Sequence, residues 1–279
     1  MTGSWTMPDT AHALRRPTAA DDKYSRGVLG MRTGSEAYPG AAVLGVEAAW
    51  RTGLGMVRYL GPSQPTALVL ARRPETVAAD GRVQAWVIGS GTDAAARGPA
   101  ESEALRALLS DTDPVVVDAG ALDLAAEATA PRILTPHERE HARLRRALGL
   151  PAAGGDRLAA ALETAEATGA VVLLKGSATV VAAPGGWATT VESGSPWLAT
   201  AGTGDVLAGA IGALVAGGVA DGRTTDAASL AAIAASGAWL HGRAARLATA
   251  ALGPAGGPIT ALDVAAALPR AVGEVLARA

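Results

Sequence analysis

The stretch "LATAGTGDVLAGAIGALVAGG" (Leu198–Gly218) places a single carboxylate, Asp205, in a loop of small residues that opens an apolar helix. Gly202 and Gly204 flank Thr203 just before it. Free backbone N–H groups at a helix start attract an anion, and glycines let a phosphate approach the backbone closely. An acid at this point has two readings. It is a favoured helix cap, which is its commoner use. It is also placed to take a proton from a hydroxyl that attacks a phosphoryl group, while the amides stabilise the developing charge. The P-loop spacing and its lysine are absent, and so is the acid about 20 residues on that marks a dinucleotide fingerprint.

A second chemistry-bearing stretch is "VVLLKGSAT" (Val171–Thr179). Of the 24 Lys and Arg residues only Lys23 and Lys175 are lysines. A compact ammonium and a planar guanidinium are not equivalent, so a lysine kept in an arginine-rich chain is a candidate for a constrained role. Lys175 at a strand end could meet a phosphate; the plain alternative is a hairpin turn with a solvated Lys. Lys23, in "KYSRG", reads as part of a solvated segment. His137, in "TPHERE", caps or packs on this evidence alone, and Asp118, after "VVV", is either a helix-start acid or a carboxylate facing a site.

The elements that must position these groups alternate. Strands are predicted at 56–60, 85–90, 115–120, 132–136, 171–176 and 178–183. Helices are predicted at 41–51, 101–109, 138–148, 157–168, 205–216, 226–246 and 261–276. Strands apolar on both faces and separated by helices imply a mainly parallel sheet covered on both sides, an α/β fold. Ser90, Asp118, Thr135–His137 and Lys175 each follow the apolar run of a strand. In open α/β sheets ligands bind at the carboxyl ends of the strands, so these groups should share one edge. Residues 1–22 lack apolar periodicity and read as a flexible tail; residues 23–279 read as one domain.

Composition narrows the classes. Net charge is −2, so no global basic field recruits nucleic acid or acidic lipid. There is no Cys, which excludes disulfides and thiolate chemistry. The core has no Phe and few aromatics, so it must be built from Ala, Val and Leu. The N-terminus lacks the apolar run of a signal peptide. Val206–Ala220 is short of the roughly 20 residues of a membrane span. The expectation is a soluble, cytoplasmic protein with small-molecule substrates.

Taken in chain order, "KYSRG", "GSEAYPGAAVLGVEAAWRTGLGMV", "VIGSGT", "VVVDAGAL", "ILTPHERE", "VVLLKGSATVVA" and "SPWLATAGTGDVLAGAIGALVA" resemble the ADP/ATP-dependent NAD(P)H-hydrate dehydratases, a branch of the ribokinase-like superfamily. The resemblance runs from about Lys23 to the C-terminal helix. It implies a single ribokinase-like domain and a repair reaction. ADP, or ATP, phosphorylates the C6 hydroxyl of the hydrated nicotinamide of NADHX or NADPHX; phosphate then leaves, giving NAD(P)H and, from ADP, AMP. By position, Asp205 resembles the base, and Gly202, Thr203 and Gly204 the anion hole. Lys175, Gly176, Ser177, Ala178 and Thr179 resemble the adenine-nucleotide site, together with Gly204. Ala41, Gly91, His137 and Asp205 match positions that contact the hydrated dinucleotide. The resemblance further implies Mg²⁺, a homotetramer, and a separate epimerase in the same pathway, since many relatives carry one as an N-terminal domain. A superfamily kinase acting on a vitamin-like alcohol and a non-catalytic nucleotide-binding module are the rival readings. The chain departs from the family pattern at Gly120 ("DAGAL" for "DADAL"), at Glu138 and Arg139 ("TPHERE" for "TPHPGE"), at Ser195 and Trp197 ("SPW" for "NPG"), and at Ser90 and Thr92 ("GSGT" for "GPGL").

Overall fold

A computed structural model describes residues 3–278. In chain order the elements are α1 (Met7–Ala11), β1 (Val28–Arg32), α2 (Pro39–Thr52), β2 (Met56–Tyr59), α3 (Ser63–Arg72), β3 (Ala85–Ile88), α4 (Pro99–Leu109), β4 (Val115–Val117), β5 (Arg132–Leu134), α5 (Glu138–Ala147), α6 (Arg157–Thr168), β6 (Val171–Leu174), β7 (Thr179–Ala182), β8 (Ala188–Val191), α7 (Thr203–Ala220), α8 (Ala227–Ala250) and α9 (Ala261–Leu276). The strands form one sheet in the order β2-β1-β3-β4-β5-β6-β7-β8. Pairing is parallel from β2 through β6, and β7 and β8 are added antiparallel.

Side chains alternate across the sheet, as the pleat requires. Leu29, Met31, Val87, Val116, Ile133, Val171 and Leu173 point into one core, shared with α2, α7, α8 and α9. Trp86, Ile88, Val115, Val117, Leu134, Val172 and Leu174 point into the other, shared with α4, α5 and α6. The expected α/β layering with helices on both faces is therefore present. Its register aligns Ile88 with Val117, Val117 with Leu134, and Leu134 with Val172. The polar residues that follow these strands thus leave the sheet at one edge.

Helix α7 is long and apolar enough by composition to cross a membrane, yet 72% of it is buried inside the protein. Its small residues serve packing. A Cβ on Gly212 would fall 2.3 Å from Val87 Cγ2, and one on Gly209 would fall 2.2 Å from the Gly45 carbonyl oxygen. Larger residues would push α7 off the sheet and off α2.

Three differences from the sequence reading stand out. Residues 3–22 are not a free tail. Ser4 bridges to Thr190, Trp5 packs edge-on against Trp187, and Thr10 of α1 is fully buried; Met1 and Thr2 lie outside the described residues. Strands β1 and β8 were not expected, because "VLGMR" and "ATTV" are short and interrupted by glycine or threonine. Helix α3 was also unexpected, since "SQPTALVLAR" carries a proline in its first turn, where the missing N–H costs nothing.

Candidate active site

At the sheet edge the strand-end residues converge. Asp118, immediately after β4, is 3% exposed. It accepts hydrogen bonds from Ser90 Oγ (2.8 Å), from Thr135 Oγ1 (2.8 Å) and from Lys175 Nζ (2.8 Å). Burial works against its charge, but the ammonium and the two hydroxyls outweigh it and hold its carboxyl below the ordinary range. Lys175 also lies 3.8 Å from Glu140 Oε2. Burial disfavours its charge too, and the nearby carboxylates more than offset this, so it stays an ammonium. The loop Lys175–Ala178 does join the antiparallel pair β6 and β7. Its lysine is bound in an ion pair rather than solvated.

Asp205 occupies the third position of α7 and does not cap it; the N-cap is Gly202, in the left-handed conformation (φ +88°) that favours glycine. The helix start therefore has no side-chain cap, and its amides stay open to a ligand. Thr203 turns its hydroxyl inward, donating to the carbonyls of Leu198 (3.0 Å) and Thr200 (3.1 Å), so only its backbone is offered. Burial pushes the Asp205 carboxyl up, and the negative Asp118 adds to this. Lys175 and the Ser90 hydroxyl oppose them, and the balance is about 6. A carboxyl so tuned is ionised at neutral pH yet basic enough to accept a proton.

A cavity of about 930 Å³ opens beside this point. Lys175, Gly176, Ser177, Ala178, Thr179, Thr203 and Gly204 all line it, as expected for one ligand site. A Cβ on Gly204 would lie 3.6 Å from Lys175 Nζ, so the ammonium sits against the amide loop. Arg157 of α6 fixes the cavity wall by donating to the carbonyls of Ala178 (2.5 Å) and Lys175 (3.0 Å). On the far wall Arg246 of α8 donates to the carbonyls of Glu192 and Gly194, both at 3.1 Å. His241 also lines the cavity, and burial pushes its imidazole down to about 4, so it is neutral.

The remaining candidates lie outside that cavity. Ala41, in the first turn of α2, touches Gly91: a Cβ on Gly91 would fall 2.2 Å from that of Ala41. His137 caps α5, its Nδ1 accepting from the amides of Arg139 (3.1 Å) and Glu140 (3.3 Å), while Glu140 accepts from His137 N (2.8 Å). Capping is thus one real role of His137. Its side chain remains half exposed, with Nε2 3.5 Å from Glu140 Oε1. Glu140 links this turn to Lys175.

Sequence reasoning missed Glu140, Arg157, Arg246 and His241. Glu140 carried a usable signal, an acid three residues after a cap. The other three sit inside ordinary helices, where nothing local distinguishes them. The departures have local explanations. A Cβ on Gly120 would fall 2.5 Å from Thr92 Oγ1, so Thr92 fills the space that a side chain at 120 would need. Glu138 pairs with Arg157 (3.2 Å) and so ties the His137 turn to the cavity wall. Ser195 caps the short turn of Pro196–Leu198, and Trp197 is exposed there.

A mostly parallel sheet, a glycine-lined helix start and a carboxylate within it define an α/β fold with an anion-binding site at its strand ends, a fold shared at a TM-score of 0.78 and 21% identity with a ribokinase-like superfamily protein from Enterococcus faecalis. The sequence pattern of the NAD(P)H-hydrate dehydratases matches residues 29–269, and the chain belongs to that family. It is 48% identical over 227 residues to the bifunctional NAD(P)H-hydrate repair enzyme Nnr of Mycobacterium tuberculosis, covering 77% of this chain and 46% of that protein. It is 38% identical over 256 residues to the ADP-dependent (S)-NAD(P)H-hydrate dehydratase of Neisseria meningitidis, covering 84% and 81%. The chain spans about half the length of the bifunctional relatives it matches. Among solved structures, the ADP/ATP-dependent NAD(P)H-hydrate dehydratase of Bacillus subtilis, co-crystallised with ATP and Mg²⁺, superposes with a TM-score of 0.82 at 28% identity, over 98% of this chain and 99% of that one. A hydroxyethylthiazole kinase from Pyrococcus horikoshii shares the fold at a TM-score of 0.61 and 15% identity.

Proposed function

We propose that this chain returns the S-form of NADHX or NADPHX to NAD(P)H at the expense of an adenine nucleotide. The observation that carries the reading is Asp205: a desolvated carboxylate among uncapped amides, beside a lysine that borders a cavity of nucleotide size. Hydroxide is a poor leaving group and phosphate a good one, so the C6 hydroxyl must be phosphorylated before it departs. Asp205 takes the hydroxyl proton as the oxygen attacks the terminal phosphoryl group of ADP or ATP. The amides of Gly202–Gly204 face the charge that develops on that group, and Lys175 adds a positive charge at the same point. The O–P bond to the donor breaks, leaving AMP from ADP. In the second step the C6–O bond breaks with the help of the ring nitrogen's lone pair, and phosphate leaves with the bonding pair. The resulting C6 iminium loses a proton from C5 to water, which forms the C5–C6 double bond and restores the dihydropyridine.

Lys175–Thr179 and Gly204 are the proposed nucleotide contacts, and Ala41, Gly91, His137 and Asp205 the proposed contacts of the hydrated dinucleotide. Mg²⁺ belongs to the nucleotide in this reading. Among the described residues no three His, Cys, Asp or Glu side chains converge as a metal site. That fits an ion carried in on phosphate oxygens and water, as Mg²⁺ prefers. The reading extends to a homotetramer in the cytoplasm, working with an epimerase; bifunctional relatives that are about twice as long support such a companion activity.

The test is direct. Purified protein is mixed with prepared NADHX, Mg²⁺ and ADP or ATP, and absorbance is followed at the reduced-nicotinamide band. A nucleotide-dependent rise with AMP appearing in step, when ADP is the donor, is the expected result. No rise with either donor, in protein that binds nucleotide, overturns the reading in favour of a kinase with a stable phosphorylated product. Light scattering during chromatography reports the assembly.

A further inference from the structure

Between Asp205 and the sheet lies a charge arrangement that the reaction does not by itself require. Asp118 is itself assigned to neither ligand, but it bonds Lys175, one of the proposed nucleotide contacts. Its three donors, Ser90, Thr135 and Lys175, come from the ends of β3, β5 and β6, and all three bonds are 2.8 Å. A buried carboxylate with this many donors is fixed in place. It in turn fixes Lys175, whose ammonium would otherwise be free to swing on a four-carbon stem. Lys175 then stands between two carboxylates of one strand-end cluster, Asp118 on one side and Glu140 at 3.8 Å on the other, with Gly204 at its front.

Asp205 faces this pair. The other charged groups on the elements around it are already engaged. Glu47 of α2 is enclosed by three arginines, Asp263 of α9 accepts from the N–H and hydroxyl of the N-cap Thr260, and Arg32 of β1 pairs with Glu101. His241 of α8 is neutral. Beyond burial, the groups that act on Asp205 are Asp118, which opposes its charge, and Lys175 and the Ser90 hydroxyl, which favour it.

The geometry points to Asp118 as a positioning residue: it pins the Lys175 ammonium against the amide loop, and the pair together governs the charge carried by Asp205. This rests on Asp205 being the base of the proposed reaction. It also gives the pair a second use. An incoming phosphate draws on the same ammonium, so nucleotide binding weakens the hold of Lys175 on Asp205 and leaves the more basic carboxylate facing the substrate hydroxyl.

The test is a ¹³C-carboxyl NMR titration of Asp205, assigned by its loss in Asp205→Asn, in wild type, Asp118→Asn, Lys175→Met and the double variant. Removing the negative neighbour should lower the midpoint by about one pH unit, and removing the positive one should raise it by about as much. The acid limb of the kcat–pH profile should move with each. A merely structural Asp118 lowers the thermal midpoint and leaves the titration in place; that result, or shifts of the same sign in both single variants, overturns the inference. If Asp118→Asn alone does not fold, Lys175→Met is compared with the double variant, where both buried charges are gone. The midpoint must lie higher in the single variant, and equality overturns the inference. The titration needs no substrate. Absence of dehydration in the wild type therefore overturns only the reaction, and an unsplit titration only the positioning.

Discussion

Two desolvated carboxylates in this molecule, Glu47 fully buried and Asp205 partly so, have opposite fates. Glu47, on α2, is fully buried and meets Arg51 (2.7 Å), Arg72 (3.3 Å) and Arg73 (2.5 Å). Burial pushes its carboxyl up, the three guanidiniums pull it down further, and it settles at about 2. Asp205 is also desolvated, but it shares one ammonium with a second carboxylate and settles at about 6. Burial alone does not make a functional acid. The ratio of cations to anions around it decides whether the group is locked or poised. Glu47 ties α2 to α3 with a surplus of positive charge. Asp205 is left short of it, at the mouth of a cavity.

The contrast can be broken at several points, and the largest effect is expected on turnover. Asp205→Asn should fold, bind ADP and lose about 10²- to 10⁴-fold in kcat, the usual contribution of a general base. Steady-state kinetics beside a nucleotide-binding isotherm check it; an unchanged kcat removes Asp205 from the chemistry. Next is Glu47→Ala, which strands three arginines. Denaturant unfolding should show a loss of about 3 kcal/mol, with kcat unchanged in the folded fraction. Third is a sign test in pH. Glu47 has a depressed folded value, so its contribution is complete above about 4.5 and is lost as pH falls toward about 2. Asp205 has a raised one, so its ionisation costs stability as pH rises from about 4 through about 6. Asp205→Asn should therefore be more stable than wild type by about 1–3 kcal/mol at pH 7, and the two should converge near pH 4. Thermal unfolding across that range reads both, and a parallel offset at all pH values rejects the account of Asp205.

Smaller effects sharpen the picture of the cavity. Lys175→Ala should weaken ADP binding by roughly tenfold through the lost charge at the loop, and calorimetry that finds an unaltered affinity rejects its place at the phosphates. Glu138→Gln breaks a partly exposed pair with Arg157 and should change stability by under about 1 kcal/mol. It should raise the KM for ADP slightly, because Arg157 still holds the Lys175 and Ala178 carbonyls.

Much of the molecule was legible in the chain itself. Apolar runs such as "VVLL" and "AWVI" declared buried parallel strands, and α6 and α9 fall on their predicted bounds because caps and apolar period agree there. The glycine loop with Asp205 and the lone lysine of the second half of the chain were candidates for phosphoryl chemistry by residue type, each with a plain capping or solvated-turn alternative, and only the whole set of motifs resembled one family. Burial and packing then settled the rest. The sequence could not say that Asp205 leaves its helix uncapped, since an acid at a helix start reads the same in both roles. Nor could it reveal the order within the N-terminal segment, whose partners lie far along the chain, at Trp187 just before β8 and on α8 and α9. Asp118, Glu140, Arg157 and His241 lie 17 to 123 residues from one another in the chain, and only strand order and register bring them to one edge. The types of group that do the chemistry are a local property and can be read one residue at a time. The charge state of those groups depends on which neighbours share their desolvated space, and that is a property of the folded chain alone.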